Sequence, residues 1–378
     1  MPVNSGLRFP VYRPDLSGRE LETVTEAVRS GWVSSTGKFV RQFEEDFSRF
    51  MGAGEGVSTS NGTAALHLAL KAIGIRDGDR VIVPNLTFAS PANAVLYERG
   101  EPVLADVHPD TWGVNPDRIE GLIDERTKAI IVVHLYGNPC DMGSILRVAR
   151  AHDLFVVEDC AEALGAEYRG KKVGTLGDIS CFSFYGNKII TTGEGGMLLT
   201  SNSAWADRVR RLRDHGMRPE RRYWHEEVGY NYRMTNLQAA LGVAQLERVS
   251  TFLRKKREVA HWYSSFLKHP RILQVHPELE WGRSVFWLYS VICDFSDGDG
   301  NPMSRDAVAR RMLARGVETR PFFYPLDEMP PYAHVKADTQ LDVSHRLSRQ
   351  GLSLPSSATL SREDIHEITD VLGESLGN

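Results

Sequence analysis

The stretch FSFYGNKIITTGEGG, residues 182–196, carries the strongest indication of both fold and chemistry. It begins in an apolar run that is typical of a buried strand, continues into a polar turn that contains Lys188, and ends at a second apolar run, 196–200. A lysine that follows a buried strand and precedes glycines, which permit close backbone approach, is expected to lie in a pocket. Such a lysine loses its proton readily enough to attack an aldehyde, so Schiff-base chemistry at Lys188 is one hypothesis; a structural lysine with a satisfied partner is the other.

Short apolar runs alternate with helix-like stretches on both sides of this segment. Several of the runs are apolar on both faces, as strands of a parallel sheet covered by helices must be. The alternation predicts an α/β fold with a large, mostly parallel sheet covered by helices. The predicted strands are 80–84, 102–107, 129–136, 155–160, 179–185 and 196–200, and the predicted helices between them are 63–73, 91–100 and 142–152.

The sequence changes in character after about residue 237. A charged, amphipathic stretch at 245–268 predicts one long helix, and Ser361 with Asp364 forms a capping-box pattern before a final helix. We therefore expect a large α/β domain over residues 1–244 and a smaller α+β domain over residues 245–378. The other elements predicted in this second part are a strand at 285–293, a turn at 296–302, a helix at 305–315 and a strand at 317–324.

Two carboxylates, Glu158 and Asp159, lie at the carboxyl end of a predicted strand in VVEDCAEA, residues 156–163. Open α/β sheets place their ligand crevice at this end of the strands. Taken alone, Asp159 is explained about equally well as the N-cap of a following helix. With a Schiff-base lysine downstream, it could instead pair with the pyridine nitrogen of pyridoxal phosphate (PLP) and keep that nitrogen protonated.

A third segment, SNGTAALHLAL at residues 60–70, places Asn61, Gly62 and Thr63 before a strongly helical run. Free backbone N–H groups and a hydroxyl at a helix N-terminus favour binding of a phosphate. A simple N-cap explains the same residues equally well, so both interpretations stay open for this segment.

Composition limits the classes of partner. The formal net charge of −4 over 378 residues gives no basic surface for nucleic acid, and no apolar run reaches the length of a membrane span. The four cysteines are far apart and form no CxxC pair, so we expect neither a metal site nor a disulfide framework. The first fourteen residues contain three prolines and lack the apolar core of a secretory signal, and we expect a cytoplasmic protein.

Two glycine-containing stretches match nucleotide-binding loops only in part. GAGEG at residues 52–56 lacks the preceding strand and the full spacing of a dinucleotide loop, which argues against a nicotinamide dehydrogenase, the fold-level alternative. GAEYRGKK at residues 165–172 has Lys172 where a phosphate-binding loop needs a Ser or Thr for magnesium. A hairpin is the better prediction for that stretch.

Five segments, taken in order and spacing, resemble the DegT/DnrJ/EryC1/StrS family of sugar aminotransferases, a branch of the fold-type-I PLP enzymes. The resemblance covers almost the whole chain. It implies PLP as cofactor, a homodimer with the active site at the subunit interface, and transfer of an amino group to a nucleotide-linked keto-sugar. The segments are SNGTAALHLAL, PNLTFAS, VVEDCAEALG, FSFYGNKIITTGEGG and GYNYRMTNLQAALG.

The resemblance also implies roles for individual residues. Lys188 forms the Schiff base with PLP and acts as general acid and base, and Asp159 pairs with the pyridine nitrogen. Phe88 stacks on the ring, Glu162 approaches the ring hydroxyl, and Asn231 reaches the phosphate of the neighbouring subunit's cofactor. The remaining implied cofactor contacts are Gly62, Thr63, Ser183 and Asn187.

Within the family, the segments 30–40, 221–236 and 317–325 are most similar to the branch that forms GDP-perosamine. This similarity implies transfer from L-glutamate to C4 of GDP-4-keto-6-deoxy-D-mannose. The alternatives are a dTDP- or UDP-linked keto-sugar as acceptor and a non-catalytic PLP-binding regulator, whereas a dehydratase of this fold would carry histidine in place of Lys188. The residues implied for the sugar or nucleotide site are Trp32, Ser34, Ser35, Tyr324 and His334.

Overall fold

The computed structural model of the chain describes residues 7–295 and 303–377. Several helices begin at a polar residue whose side chain accepts a hydrogen bond from a free N–H of the first turn, as Asn61, Thr235 and Ser361 do. The helices are α1 (Glu20–Arg29), α2 (Lys38–Met51), α3 (Gly62–Ile73), α4 (Ser90–Tyr97), α5 (Pro116–Ile119), α6 (Met142–Ala151), α7 (Ser203–Leu212), α8 (Asn236–Glu247), α9 (Val249–Phe266), α10 (Arg305–Ala314), α11 (Asp342–Gln350) and α12 (Arg362–Leu376).

The strands form one large sheet and two smaller ones. They are β1 (Glu55–Thr59), β2 (Arg80–Pro84), β3 (Glu101–Ala105), β4 (Thr127–Val133), β5 (Phe155–Asp159), β6 (Glu167–Tyr168), β7 (Lys171–Lys172), β8 (Ile179–Ser183), β9 (Gly196–Thr200), β10 (Ile272–Val275), β11 (Gly282–Arg283), β12 (Ser290–Cys293), β13 (Arg320–Pro321), β14 (Lys336–Ala337) and β15 (Gly351–Ser353). The large sheet has the order β1-β9-β8-β5-β4-β2-β3-β14.

The large sheet is mostly parallel, and β9 is the strand that runs antiparallel to both of its neighbours. Its central strands are buried almost throughout, and α3 packs on β8 and β9 while α6 packs on β5. Because successive residues of these strands are buried on both faces of the sheet, their sequences are continuous apolar runs. The predicted α/β class, with a mostly parallel sheet covered by helices, is confirmed. The predicted hairpin at 165–172 is also present as β6 and β7.

The second half of the chain forms a four-stranded antiparallel sheet of order β10-β12-β15-β13. Helix α12 packs on both α9 and α10 beside it, around a separate hydrophobic cluster that includes Tyr263, Tyr289 and Ile368. The proposed division into domains at residues 244 and 245 falls inside α8, and it stays a prediction.

Three element predictions for this half need correction. The predicted helix at 245–268 is two helices, because the chain breaks at Arg248, whose guanidinium bonds Asp15 at 2.9 Å. The predicted strand at 285–293 is reduced to β12, since the N–H groups of Val285 and Trp287 donate instead to the 136–137 turn. The predicted strand at 317–324 is reduced to β13 for a similar reason, because backbone N–H groups on both sides of β13 donate hydrogen bonds to other parts of the chain. The turn predicted at 296–302 lies outside the described residues.

Among the described residues, no helix combines the length and the apolar character that crossing a bilayer requires.

Candidate active site

A cavity of about 620 Å³ opens where β5 and β8 end and α3 begins. Parallel strands end at the same edge of a sheet, so the side chains that follow them converge there. Residues from the second half of the chain, among them Trp287 and Arg320, complete the wall. The cavity brings together eight of the residues predicted from sequence: Gly62, Thr63, Phe88, Asp159, Glu162, Ser183, Asn187 and Lys188.

Lys188 projects into this cavity from the turn that follows β8. Its side chain is 12% exposed, and its Nζ lies 3.7 Å from Oε1 of Glu162 and 3.6 Å from the centre of the Trp287 ring. Its backbone is fixed on both sides, because its N–H donates to the Tyr185 carbonyl at 2.9 Å and its carbonyl accepts from the Tyr12 hydroxyl at 2.7 Å. The amine is therefore withdrawn from bulk water and held in place, yet it faces an open volume.

Burial sets the protonation of the ionisable groups around Lys188. It lowers the pKa of Lys188, although the charges of Glu162 and Asp159 partly oppose that effect. Burial raises the pKa of Glu162 to about 7 and also raises the pKa of Asp159. A buried amine with a lowered pKa reaches the neutral, nucleophilic form at a lower pH than an exposed lysine does.

Asp159 and Glu158 are neighbours on β5, and their side chains point to opposite faces of the strand. Asp159 lines the cavity, and one of its oxygens accepts the N–H of Ala161 at 3.0 Å. A turn follows it, so the alternative that Asp159 is a helix N-cap is wrong. Glu158 is fully buried and accepts three backbone N–H groups of the 174–177 loop, so it holds that loop and not a ligand.

His134, Glu158 and Cys160 come close enough to suggest a metal site. Their hydrogen bonds argue against it. His134 Nδ1 accepts the N–H of Cys140 at 3.1 Å, and its Nε2 lies 3.1 Å from Glu158, which leaves neither ring nitrogen free. Burial also raises the pKa of the Cys160 thiol well above its usual range, and a metal would need the thiolate. We assign no metal to this cluster.

The N-terminus of α3 forms a narrow cradle at one end of the cavity. The Asn61 side chain accepts the N–H of Ala64 at 2.8 Å, so Asn61 is an N-cap as one interpretation proposed. Gly62 and Thr63 nevertheless line the cavity with first-turn N–H groups, which have no acceptor within the helix. A Cβ on Gly62 would lie 2.9 Å from Cβ of Ser183, so only glycine allows this approach.

Asn187 and Phe88 stand at the two remaining predicted positions in the cavity. Oδ1 of Asn187 is buried without a hydrogen-bond partner among the described residues. Such an orphaned acceptor in a cavity indicates a missing donor. Phe88 is 57% exposed and contacts Phe323 edge to face at 5.8 Å between ring centres, so most of its ring is available to a ligand.

The other predicted site residues do not line this cavity in the single chain. Asn231 is exposed, and its Oδ1 accepts hydrogen bonds from Arg233. Tyr324 is about half exposed and has the Arg305 guanidinium near its ring, at 5.6 Å. The remaining ones are Trp32, Ser34 and His334, which are exposed, and Ser35, which is half-buried.

Several cavity residues carried no signal in the sequence. Trp287 stacks on Lys188, and its indole N–H donates to the Asn187 carbonyl at 2.7 Å. Tyr97, Tyr232 and Arg320 also line the cavity. Arg320 lies in VETRPFFYP, one of the segments that carry the family resemblance, but nothing local in the sequence indicates that its side chain lines the cavity with Lys188.

A model of the DegT/DnrJ/EryC1/StrS aminotransferase family matches residues 14–373. The chain belongs to that family. It is 48% identical over 371 residues to the GDP-perosamine synthase of Caulobacter vibrioides (98% of each chain) and 42% identical to that of Escherichia coli O157:H7 (97% of this chain, 98% of the relative). Among solved structures, the aminotransferase TlmJ from Streptoalloteichus hindustanus superposes with a TM-score of 0.90 at 32% identity, covering 97% of this chain and 98% of its own.

The chain is accordingly a PLP-dependent aminotransferase. Features of the cavity fit this cofactor independently of the family. PLP carries a phosphate, an aldehyde and a basic ring nitrogen, and the cavity offers a helix N-terminus, a buried lysine and a buried carboxylate. The orphaned oxygen of Asn187 adds an acceptor without a partner.

Proposed function

We propose that this enzyme transfers the amino group of L-glutamate to C4 of GDP-4-keto-6-deoxy-D-mannose and forms GDP-perosamine. The observation that carries the proposal is the placement of Lys188, Asp159 and Glu162 in one cavity, in a chain 48% identical to a GDP-perosamine synthase over almost its whole length. The cavity supports amino transfer, and the similarity supports the GDP-linked acceptor.

The cavity supports the cofactor contacts that the family resemblance implies, because the residues concerned all line it. Lys188 would hold PLP covalently, and Asp159 would pair with its ring nitrogen. Gly62, Thr63 and Ser183 would bind the phosphate. Phe88 would stack on the ring, with Glu162 near the ring hydroxyl and Asn187 supplying a further polar contact.

PLP supplies an electron sink for the carbon that loses its proton. The chain supplies the rest. The Lys188 amine takes the α-proton of the donor and returns a proton at the cofactor, a role that its lowered pKa favours. Asp159 keeps the ring nitrogen protonated by offering an anionic partner, and Trp287 restricts the position of Nζ through its ring face. The second half of the reaction uses the same groups in reverse on the keto-sugar.

We further propose that the active unit is a homodimer in the cytoplasm. In the single chain, Asn231 lies on the surface outside the cavity. A second subunit that brings its Asn231 to the phosphate would give this residue the role that the family resemblance implies. Trp32, Ser34, Ser35, Tyr324 and His334 would then line the sugar or nucleotide site of the assembled dimer.

The test is to supply the PLP-loaded enzyme and L-glutamate with GDP-, dTDP- and UDP-linked 4-keto-6-deoxy sugars in parallel. Amino-sugar formation is followed by mass spectrometry, and the position of the amino group by NMR. We expect a C4-amino product from the GDP sugar, at a rate well above those with the other two. Product from only a dTDP or UDP sugar would overturn the acceptor assignment and leave the aminotransferase standing. No conversion of bound PLP by glutamate would favour a non-catalytic regulator instead.

A further inference from the structure

Two successive carbonyls of the turn that carries Lys188 accept hydrogen bonds from side chains far away in the chain. The Asn187 carbonyl accepts the indole N–H of Trp287 at 2.7 Å, and the Lys188 carbonyl accepts the hydroxyl of Tyr12 at 2.7 Å. Within the turn, the Lys188 N–H donates to the Tyr185 carbonyl. The backbone position from which the Lys188 amine reaches the cavity is therefore set by contacts outside the turn as well as within it.

Tyr12 belongs to an extended segment, residues 9–13, that we call the N-terminal strap. Phe9 precedes Pro10, and a residue before proline favours extended backbone. Phe9 also forms a parallel bridge with Val317, and its carbonyl accepts the next N–H of that segment at 2.9 Å. The strap is thus anchored on the second half of the chain.

The backbone of Val11, next to Tyr12, is bonded on both sides by the second half of the chain. Its N–H donates to Oε2 of Glu318 at 2.8 Å, and its carbonyl accepts the N–H of Ser356 at 2.8 Å. Successive side chains of an extended segment point in opposite directions, so the Val11 side chain packs in the core while Tyr12 reaches the Lys188 turn. The strap therefore joins the second half of the chain to that turn.

The hydroxyl of Tyr12 acts as the donor toward the Lys188 carbonyl. Burial raises the pKa of Tyr12, so the hydroxyl keeps its proton at the pH values at which an enzyme is assayed. Removal of the hydroxyl would take this donor from the carbonyl and release one of the bonds that fix the turn. A displacement of about 1 Å between reacting groups can lower a rate by about 100-fold, so a small movement of this backbone matters for the amine.

We infer that Tyr12 is a positioning residue for the cofactor lysine: its hydroxyl, held by the N-terminal strap, fixes the Lys188 backbone where the amine can capture the PLP aldehyde. In that capture the neutral amine adds to the aldehyde carbon, a C=N bond forms, and the aldehyde oxygen leaves as water with both amine protons. Tyr12 does not itself line the cavity. The inference rests on the proposed bond between Lys188 and PLP and does not depend on the sugar acceptor.

The experiment compares Tyr12→Phe with a matched control, Tyr263→Phe. Tyr263 of α9 also donates its hydroxyl to a backbone carbonyl, that of Pro355, at 2.7 Å, and it lies outside the cavity lining. Each full-length protein is freed of cofactor and mixed with PLP, and capture is followed by its visible absorbance in a stopped-flow instrument. We expect capture to slow about tenfold in Tyr12→Phe and to change less than about twofold in Tyr263→Phe.

Pyridoxamine phosphate separates the positioning of Lys188 from a general effect on the cavity. It has the ring and phosphate of PLP but an amine in place of the aldehyde, so it binds without a bond to Lys188. We expect its dissociation constant, measured by calorimetry, to change less than about twofold in Tyr12→Phe. Urea unfolding midpoints should fall by similar amounts in the two variants, because each loses one hydrogen bond from a tyrosine hydroxyl to a carbonyl.

Turnover of the PLP-loaded enzyme gives a further readout. Because the Lys188 amine also carries the proton, Tyr12→Phe should lower kcat about tenfold, while the half-saturating concentration of L-glutamate changes less than about threefold.

Three results would overturn the inference: capture of PLP at the wild-type rate in Tyr12→Phe, an equal slowing in Tyr263→Phe, or a loss of affinity for pyridoxamine phosphate as large as the loss in capture rate. The last would make Tyr12 a support for the cavity as a whole. Failure of the wild-type protein to capture PLP on Lys188 would instead refute the proposed role of Lys188.

Discussion

Among the described residues, Lys188 and Lys256 have side chains that are largely buried, and of these two Lys188 faces the cavity. Lys188 lies beside Glu162 and under the Trp287 ring, at the edge of a space large enough for a cofactor. Lys256, on α9, is 1% exposed and donates to two carbonyls, that of Trp287 at 2.7 Å and that of Ser356. It has no carboxylate partner among the described residues.

The comparison separates a shifted pKa from a functional role. Burial lowers the pKa of Lys256 to about 7, yet its amine is enclosed by protein and has no room for a substrate. Lys188 has both an accessible volume and acidic neighbours. A perturbed pKa marks a candidate site only when the group can also reach a ligand. The two lysines are linked through Trp287, whose carbonyl bonds Lys256 and whose ring covers Lys188, so Lys256 is a positioning residue at most.

The strongest test of the difference between Lys188 and Lys256 is to replace each lysine in turn. We expect Lys188→Ala to lower turnover by at least about 10³-fold, because it loses the covalent anchor and the proton carrier together. Lys256→Met, of similar length, should stay within about tenfold of wild type. Steady-state rates with the cofactor in excess measure both. Comparable losses in the two variants would contradict the distinction drawn between the lysines.

The next largest effect concerns the anionic partner in the cavity of Lys188. Asp159→Asn keeps the shape of the side chain but removes its charge, so the ring nitrogen loses the partner that keeps it protonated. We expect the single-turnover rate with L-glutamate to fall about 100-fold or more. A rate near that of wild type would remove Asp159 from the site.

The lowered pKa of Lys256, on α9, leads to a prediction for the pH dependence of stability. Its folded pKa of about 7 is below the ordinary 10.5, so between these values the unfolded chain binds more protons than the folded chain. Stability should therefore rise with pH over that window in wild type relative to Lys256→Met, by up to about 1.4 kcal/mol per pH unit. Urea unfolding of both proteins at pH 7, 8 and 9 measures this. A difference independent of pH would mean that Lys256 stays charged in the folded protein.

The smallest expected effect concerns Glu162, which lies beside Lys188. Its effect on the pH dependence of stability has the opposite sign to that of Lys256. Burial raises the pKa of Glu162 to about 7 from an ordinary 4.5, so its contribution to stability is complete below pH 4.5 and is lost as the pH rises to about 7. Relative to Glu162→Gln, the cofactor-free wild type should lose stability across that window, by up to about 1.4 kcal/mol per pH unit. Parallel unfolding curves of the two proteins at pH 5, 6 and 7 would show it; identical slopes would refute it.

The sequence predicted those parts of the site that are local in the chain. Lys188 and Ser183 belong to one strand and its turn, Asp159 and Glu162 to another, and Gly62 to a helix start, each with a recognisable pattern. Residues brought in by tertiary packing were missed. Trp287 reaches Lys188 because the backbone before β12 bonds the 136–137 turn, and nothing in the order of residues encodes that contact.

Prediction of the fold also succeeded for features that are local in the chain and failed for features that are not. Six of the eight strands of the large sheet were predicted to within three residues, because burial on both faces leaves an unbroken apolar run, whereas β1 and β14 were not predicted. The break at Arg248 was missed, since the amphipathic pattern continues through it and only the backbone angles of Arg248 depart from the helix.

The most direct test of the central claim is to reduce the PLP-loaded protein with borohydride and map the pyridoxyl-labelled peptide by mass spectrometry. Reduction fixes the cofactor on whichever amine carries it. We predict the label on Lys188 alone, with Lys256 unmodified, and loss of the label in Lys188→Ala. A label on Lys256, or on another lysine while Lys188 stays free, would contradict the assignment of Lys188 as the cofactor lysine.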